Sequence, residues 1–466
     1  MALEPNENPE KSILKFESML KTDDVYFFDA EDFEEIIHHY LNQGKVALGK
    51  KAIEIGLQQH PHSAELKLLK VEVLVFEDRF SEAKTILDQL QEVDITNEEI
   101  YIQRANILSK QDDHHGAIKM LAEALQVTND SFDIHSLMGM EYLFLDNFEK
   151  AKACFIQCVE YDESDYSSLY NVVYCFEFLE DFDGAILYLN DYLERNPYCE
   201  VAWHQLGKMY CAKDMYAEAL TSFDFATISD DSFLGAYFEK GRVLEKLGKY
   251  NEAIECYETT ISIDDPTSHA YLRIGKCHEK LGNDDLAKYY YYNTVHEDPL
   301  LDKGWVAITE YYFRIKDFKK ALKYINKAIN IDGENPLYWK KSAEIFDVLE
   351  NYDEADFSYK QAVELGNYEL GTWKNWAQIL GKLEDFASAQ QVVLQGLDFY
   401  PEDAELHYLL SGIYLKNKKT KLAKEKLSAA LQLNPEKSVV FLQMYPEFKN
   451  IKWIQEIIGT NKKAST

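Results

Sequence analysis

Counting 34 residues at a time from Ala287 lands on Ala253, Ala219, Ala185, Ala151, Ala117 and Ala83 in one direction. In the other direction it lands on Ala321, Ala355, Ala389 and Ala423. One more step back reaches Gly49, also small. The register runs over residues 30–437 as twelve units with no insertion or deletion. A fixed period of this length restricts the chain to a stack of like supersecondary units, each burying the face its neighbour leaves open.

The unit is readable in residues 268–302. Tyr271, Ile274, Gly275 and His278 fall at i, i+3, i+4 and i+7, one face of a helix. Leu281-Gly282-Asn283-Asp284 breaks the run, and Gly282 can take the left-handed conformation that ends a helix. Ala287, Tyr291 and Thr294 mark a second helix, and Pro299 closes the unit. So short a turn requires the two helices to lie antiparallel. Gly275 and Ala287 are small where they cross, allowing close approach. Other columns repeat too. Gly139, Gly207, Gly241, Ala105, Ala343, Ala377 and Ser411 share the place of Gly275. Trp203, Tyr237, Trp305, Trp339 and Trp373 share that of Tyr271, and Pro61, Pro197, Pro401 and Pro435 that of Pro299.

This pattern resembles the tetratricopeptide repeat, with its W-x₂-L-G-x₂-Y…A-x₃-F…P signature. Trp203, Leu206, Gly207 and Tyr210, followed by Ala219, Phe223 and Ala226, match it best. The resemblance covers about nine-tenths of the chain. It implies an all-α, right-handed superhelical solenoid and a scaffold for protein partners, with no particular partner specified. Ile37 and Val71 replace the small residue in the first two units, so looser or altered packing is expected there. Val173 and Tyr192 make the fifth unit irregular as well.

Residues 1–29 are expected to form a capping helix and joint. Asn8 would cap the helix that begins at Pro9, and Tyr26-Phe27-Phe28 would seal the join. Residues 438–466 are expected to form capping helices broken at Pro446, then a polar tail over 461–466. Terminal units of a stack need such covers.

No apolar run approaches the ~20 residues needed to span a bilayer, and Met1–Glu10 is too acidic for a signal peptide. Seven cysteines without C-x-x-C spacing point to a reducing, cytoplasmic compartment. Cys154 and Cys158, one helical turn apart, could share a metal, but Cys158 falls in the packed column of Ala226 and Ala328, so no metal is expected. The formal net charge is −32, of which −25 lies in residues 1–200. Such acidity opposes nucleic acid and anionic membranes as partners.

No catalytic constellation stands out: there is no Gly-rich phosphate loop, H-E-x-x-H or G-x-S-x-G. The expectation is therefore a non-enzymatic chain with no cofactor. His38-His39 and His114-His115 read as surface pairs, and Tyr289–Tyr292 as packing.

The resemblance implies that first helices line the concave side, where partners bind. In the unit at Ser268 the places facing away from the core are His269, Leu272, Arg273, Lys276, Glu279 and Lys280. Over the seventh to eleventh units these places hold an excess of cations, among them Arg242, Arg273, Lys276, Lys280, Arg314, Lys340, Lys341 and Lys374. They are the expected contacts for an acidic protein segment. Over the first five units the same places are acidic. Met140, Phe144, Tyr170, Tyr174 and Phe178 add an apolar wall, with Asn171 able to hold a backbone amide. Some tetratricopeptide proteins grip a terminal carboxylate with a Lys/Asn clamp. Lys374 and Asn375 resemble fragments of it, but Glu344 and Glu405 occupy other clamp places, so that function is not carried over. The alternative expectation is a structural subunit that assembles through its convex or edge surface.

Overall fold

The computed structural model describes residues 9–22, 26–128, 130–263 and 267–464. Among them the chain is all α-helix and short turns, with no strand. No described helix is long and apolar enough to cross a membrane. The expected cap at Asn8 lies outside the described residues.

From Ala30 to Leu433 the helices come in consecutive antiparallel pairs, Ala30–Asn42 with Val46–Gln59 and onward to Ala404–Lys416 with Thr420–Leu433. Two compact units divide the chain, Met1–Phe233 and Leu234–Thr466. Within each, helices pack on their partners, and neighbouring pairs pack on one another. Successive first helices also touch, as between Ala30–Asn42 and Ala64–Phe76, or Leu370–Lys382 and Ala404–Lys416.

The alanine column is the crossing point. Ala83, Ala117, Ala151, Ala185, Ala219, Ala253, Ala287, Ala321, Ala355, Ala389 and Ala423 are all fully buried. Opposite them, volume is traded between two columns. Where the first helix carries glycine, the second carries an aromatic ring four residues after the alanine. The pairs are Gly139 with Phe155, Gly207 with Phe223, Gly241 with Tyr257, and Gly275 with Tyr291; a Cβ on any of these glycines would sit within 2.7 Å of that ring. Where the first helix carries a larger side chain, the second usually carries an aliphatic one, as in Ala105 with Leu121; Ala343 with Tyr359 is an exception, both buried. Of the looser or altered packing expected at the start, the first two units show the altered form and not the loose one. Ile37 faces Ile53 and Val71 faces Leu87, and all four are buried to 3% exposure or less. The bulk has moved from one helix to the other and no cavity is implied. Val173 and Leu189 repair the fifth unit in the same way, both buried.

The Trp column has a second task. Trp203, Trp305 and Trp339 donate their indole N–H to the carbonyls of Pro197, Pro299 and Gly333, at 2.8–2.9 Å. Tyr101 donates its hydroxyl to Ile95 at 3.0 Å from the same place, and His407 Nε2 lies 2.9 Å from the Pro401 carbonyl. Each ties down the loop six residues back while its ring packs, as an amphipathic aromatic can.

The turn inside each pair uses one left-handed residue. Gly282 has φ of +77°, as its sequence position requires. The same place is taken by non-glycine residues in most units: Asp78, Asp112, Asp146, Glu180, Asp214, Lys316, Glu350, Glu384 and Lys418, all with φ between 53° and 62°.

At the amino end Phe16 and Phe28 are buried with Phe33 and Tyr40. Phe27 points outward at 65% exposure, so the aromatic run seals the joint with Phe28 and partly buried Tyr26 rather than with all three rings. At the carboxyl end Ser438–Met444, a short 3₁₀ turn from Pro446, and Lys452–Ala464 follow the last pair. The final helix continues through residues 461–464, where a tail was expected, because nothing between Lys452 and Ala464 breaks it.

His204 gives this core a pH dependence. Its ring lies between Phe223 and Phe233, at 5.8 and 5.3 Å, and neither ring nitrogen has a hydrogen-bond partner. Burial, helped by Lys208 one turn on, pushes its pKa down to about 4. The unfolded chain takes up this proton near pH 6.5. Stability from this residue is therefore full above about pH 6.5 and is lost as pH falls towards about 4. Denaturant unfolding at pH 7 and pH 4.5 should show a loss in the parent exceeding that in His204→Phe by roughly 2 kcal/mol. Equal losses would place the acid sensitivity elsewhere.

Candidate partner-binding faces

Two concavities collect most of the residues singled out in the sequence, one in each compact unit. In the first unit, Met140, Leu143, Tyr170, Asn171, Tyr174, Glu177, Gln205 and Lys208 line a hollow of about 380 Å³. The helices Phe132–Phe144, Tyr166–Phe178 and Glu200–Ala212 supply them. Their inward faces (Ile134, Leu169, Val172, Leu206) are buried, which leaves Met140, Tyr170 and Tyr174 about 42% exposed. Phe178 extends the wall by stacking on Phe148 at 4.6 Å. Phe144 stands beside it but stacks on His114 at 4.9 Å. His114 in turn bonds the buried Glu141 carboxylate at 2.8 Å, so it is a packed residue rather than a free surface histidine. Lys208 lies 3.5 Å from Glu177, and with Gln205 it is a polar contributor that the aromatic pattern did not reveal.

In the second unit, Arg242, Arg273, Lys276 and Lys280 line a hollow of about 440 Å³, together with Glu245, Lys246, Tyr250, Glu279, Tyr291 and Glu310. Tyr257 and Tyr291, one repeat apart, reach from second helices and donate their hydroxyls to Glu245 and Glu279, each at 2.5 Å. Burial first, and the accepting carboxylate second, push both phenol pKa values far up, so the protons stay on oxygen. Arg273 approaches Glu245 at 3.5 Å, and Arg242 pairs with Glu239 at 2.8 Å. Lys276 and Lys280 are exposed and have no ion-pair partner among the described residues. Leu272, read as facing the ligand, is instead buried among Val295, Trp305 and Ile308. It faces the neighbouring pair, where apolar area is removed from water.

The remaining predicted cations are engaged within the chain. Arg314 bridges Glu279 at 2.5 Å and Asp284 at 2.7 Å. Lys340 pairs with Glu369 at 2.5 Å. Lys341 lies 3.6 Å from Glu344, its ammonium 4.1 Å from the centre of the Phe313 ring. Lys374 meets Asp403 and Glu405 at 3.3 and 2.6 Å, with only 15% of its side chain exposed. With Lys437, it holds the Glu405 carboxyl below its usual range. Apart from Glu344, three residues from Lys341 on the same helix, these carboxylates lie 29–35 residues away, one repeat along, a spacing that the register could have disclosed.

A third hollow, about 550 Å³, was not anticipated. It lies at loops rather than on a first-helix face, lined by Glu163, Tyr166, Tyr192, Arg195, Asn196 and Tyr198 among others. Among the described residues no group of His, Cys, Asp and Glu could hold a metal ion. Cys154 and Cys158 are buried; burial pushes the Cys154 thiol up to about 11, so it stays protonated and a poor ligand.

Stacked antiparallel helix pairs of this period define a helical-repeat protein, a class that serves as interaction scaffolds. The family follows from its matches. One model of the tetratricopeptide repeat matches residues 132–165, 234–266 and 303–335, a second 374–438, and a third 269–300. The matched residues are thus tetratricopeptide repeats, which the chain carries in both compact units. No curated protein matches it. Among solved structures it is similar to the APC/C hetero-tetramer Cut9–Hcn1, at 15% identity and a TM-score of 0.41, covering 87% of this chain and 93% of that one. It is also similar to the C-terminal part of a repeat protein from Cytophaga hutchinsonii, at 19% identity and TM-score 0.43, covering 55% and 98%. A tetratricopeptide repeat protein from Parabacteroides merdae shares 13% identity and a TM-score of 0.41, covering 54% and 99%.

Proposed function

We propose that the protein holds an acidic segment of a partner protein against the first-helix face of its second unit, without catalysing a reaction on it. The observation that carries this reading is the hollow at Arg242, Arg273, Lys276 and Lys280. Cations gather there in a chain of net charge −32, and two of the three lining carboxylates are occupied by buried phenols. Complementary charge of this kind steers encounter and sets partner choice. The wall of Met140, Tyr170 and Tyr174, with Asn171, is a second anchoring face for an apolar side chain, and Phe144 flanks it. Arg314, Lys340, Lys341 and Lys374 act mainly as ties between neighbouring pairs.

Reversing Arg273, Lys276 and Lys280 to Glu should weaken capture of the natural partner at least tenfold, about 1.4 kcal/mol. Melting should barely change, since exposed substitutions usually stay within about 0.5 kcal/mol each. Added salt should mimic the effect, because exposed charges are screened over about 8–10 Å. Reversal of Lys323 and Lys360, on second helices, is the matched control. If the control is the damaging set, the outer surface is the interface, and the protein is a structural subunit assembling through it.

A further inference from the structure

We infer that the hollow at Arg242, Arg273, Lys276 and Lys280 takes the phosphate of a phosphorylated serine or threonine in the partner segment. This rests on the reading above and specifies its ligand.

The first ground is which carboxylates are already occupied. Glu245 accepts from Tyr257, and Glu279 accepts from both Tyr291 and Arg314. The two more buried carboxylates of the hollow are thus already held by fixed donors, a phenol on Glu245 and a phenol and a guanidinium on Glu279. Glu310 also lines the hollow; it is exposed, and the anion must sit away from it.

The second ground is which cations are left. Most first-helix cations of this unit carry a close carboxylate, as Arg314, Lys340, Lys374 and Lys382 do. Lys276 and Lys280 do not, among the described residues. They stand one turn apart on Ser268–Lys280, so their Cβ atoms are about 6 Å apart and both ammoniums can reach one group. Arg273, on the same helix, spends a single long contact of 3.5 Å on Glu245 and keeps its other N–H donors.

The third ground is the match of chemistry. A phosphate monoester carries about −1.5 to −2 charges and three strong acceptor oxygens on one atom. It can engage two ammoniums and a guanidinium together through charge-assisted bonds. A carboxylate side chain brings half that charge. A polyanion fits less well, because acids such as Glu239 and Glu310 flank the cluster and would meet its further charges. A hollow of about 440 Å³ is the size for one modified side chain and its flanking backbone.

The test uses the full chain and fluorescence anisotropy with three labelled peptides. One carries a single phosphoserine in a Gly/Ser frame, the second has serine there, and the third has glutamate. The phosphopeptide should bind at least tenfold tighter than either twin, and inorganic phosphate should compete. Lys276→Gln with Lys280→Gln should abolish the difference, while Lys323→Gln with Lys360→Gln should leave it intact. Binding should weaken below about pH 6, as the second phosphate proton returns. Equal binding of the glutamate peptide would overturn this inference and leave the acidic-segment reading standing. Binding of none of the three, or binding indifferent to Lys276 and Lys280, would also overturn it, with the capture experiment still deciding the broader reading.

Discussion

Ending the chain after Lys437 is expected to lower its melting temperature sharply and to make it self-associate. Phe441 and Ile454 are fully buried and Ile458 nearly so, against Tyr408, Leu427, Ala430 and Leu431 of the last pair. Tyr445 covers Gly412 so closely that a Cβ there would fall 2.0 Å from its ring. Burying each large apolar side chain contributes about 1.5–3 kcal/mol. Losing three or four of them removes roughly 5–10 kcal/mol from the end of the stack, comparable with the net stability of a domain. The uncovered face is a contiguous apolar patch of the kind that drives association. Calorimetry and light scattering on the truncated chain read both effects. A monomer that melts like the parent would mean that residues 438–466 cover nothing essential. Phe441→Ser with Tyr445→Ser in the full chain should move melting in the same direction with less aggregation.

The second large effect concerns the helix crossing. Gly207→Ala should destabilise the protein by roughly 1–3 kcal/mol, although alanine is ordinarily the better helix former by about 1 kcal/mol. The added methyl would lie 2.5 Å from the fully buried Phe223 ring, so the ring or the helix must shift to admit it. Phe223→Leu alone should also destabilise, by opening space. Together they recreate the pair Ala105 and Leu121, which the chain already packs with both residues buried. The double variant should therefore be more stable than the sum of the single losses by at least about 1 kcal/mol. Additive losses in denaturant unfolding would show that the two columns do not exchange volume.

The repeat, its helices and its crossing alanines were legible because each column is sampled many times along one chain. Exchange of bulk between columns was less so. Ile37 and Val71 look like defects when read alone and become sound only beside Ile53 and Leu87. The candidate site was legible in part. Lys276 and Lys280 follow from helical phase, but phase alone misplaced Leu272, whose direction depends on the neighbouring pair. Nor did phase separate a cation available to a partner from one already held. Arg314 and Lys374 look like Lys280 in sequence, yet meet carboxylates about one repeat away. The phenol donors Tyr257 and Tyr291 lie twelve residues from the carboxylates they occupy, on the other helix of the pair, where their column reads as packing.

The left-handed turn residues carry a consequence for colloidal behaviour. Glycine would hold that conformation without the steric cost of roughly 1–2 kcal/mol that a side chain incurs. In the first compact unit the place is Gly44 once but otherwise Asp78, Asp112, Asp146, Glu180 and Asp214, all five exposed. Spaced one repeat apart, they set a row of like charge along the edge where the helix pairs turn. Two molecules approaching by that edge meet carboxylate against carboxylate, at a rim that glycine would have left neutral and open to docking. Local backbone strain, taken on five times along that edge, is thereby exchanged for mutual repulsion between copies.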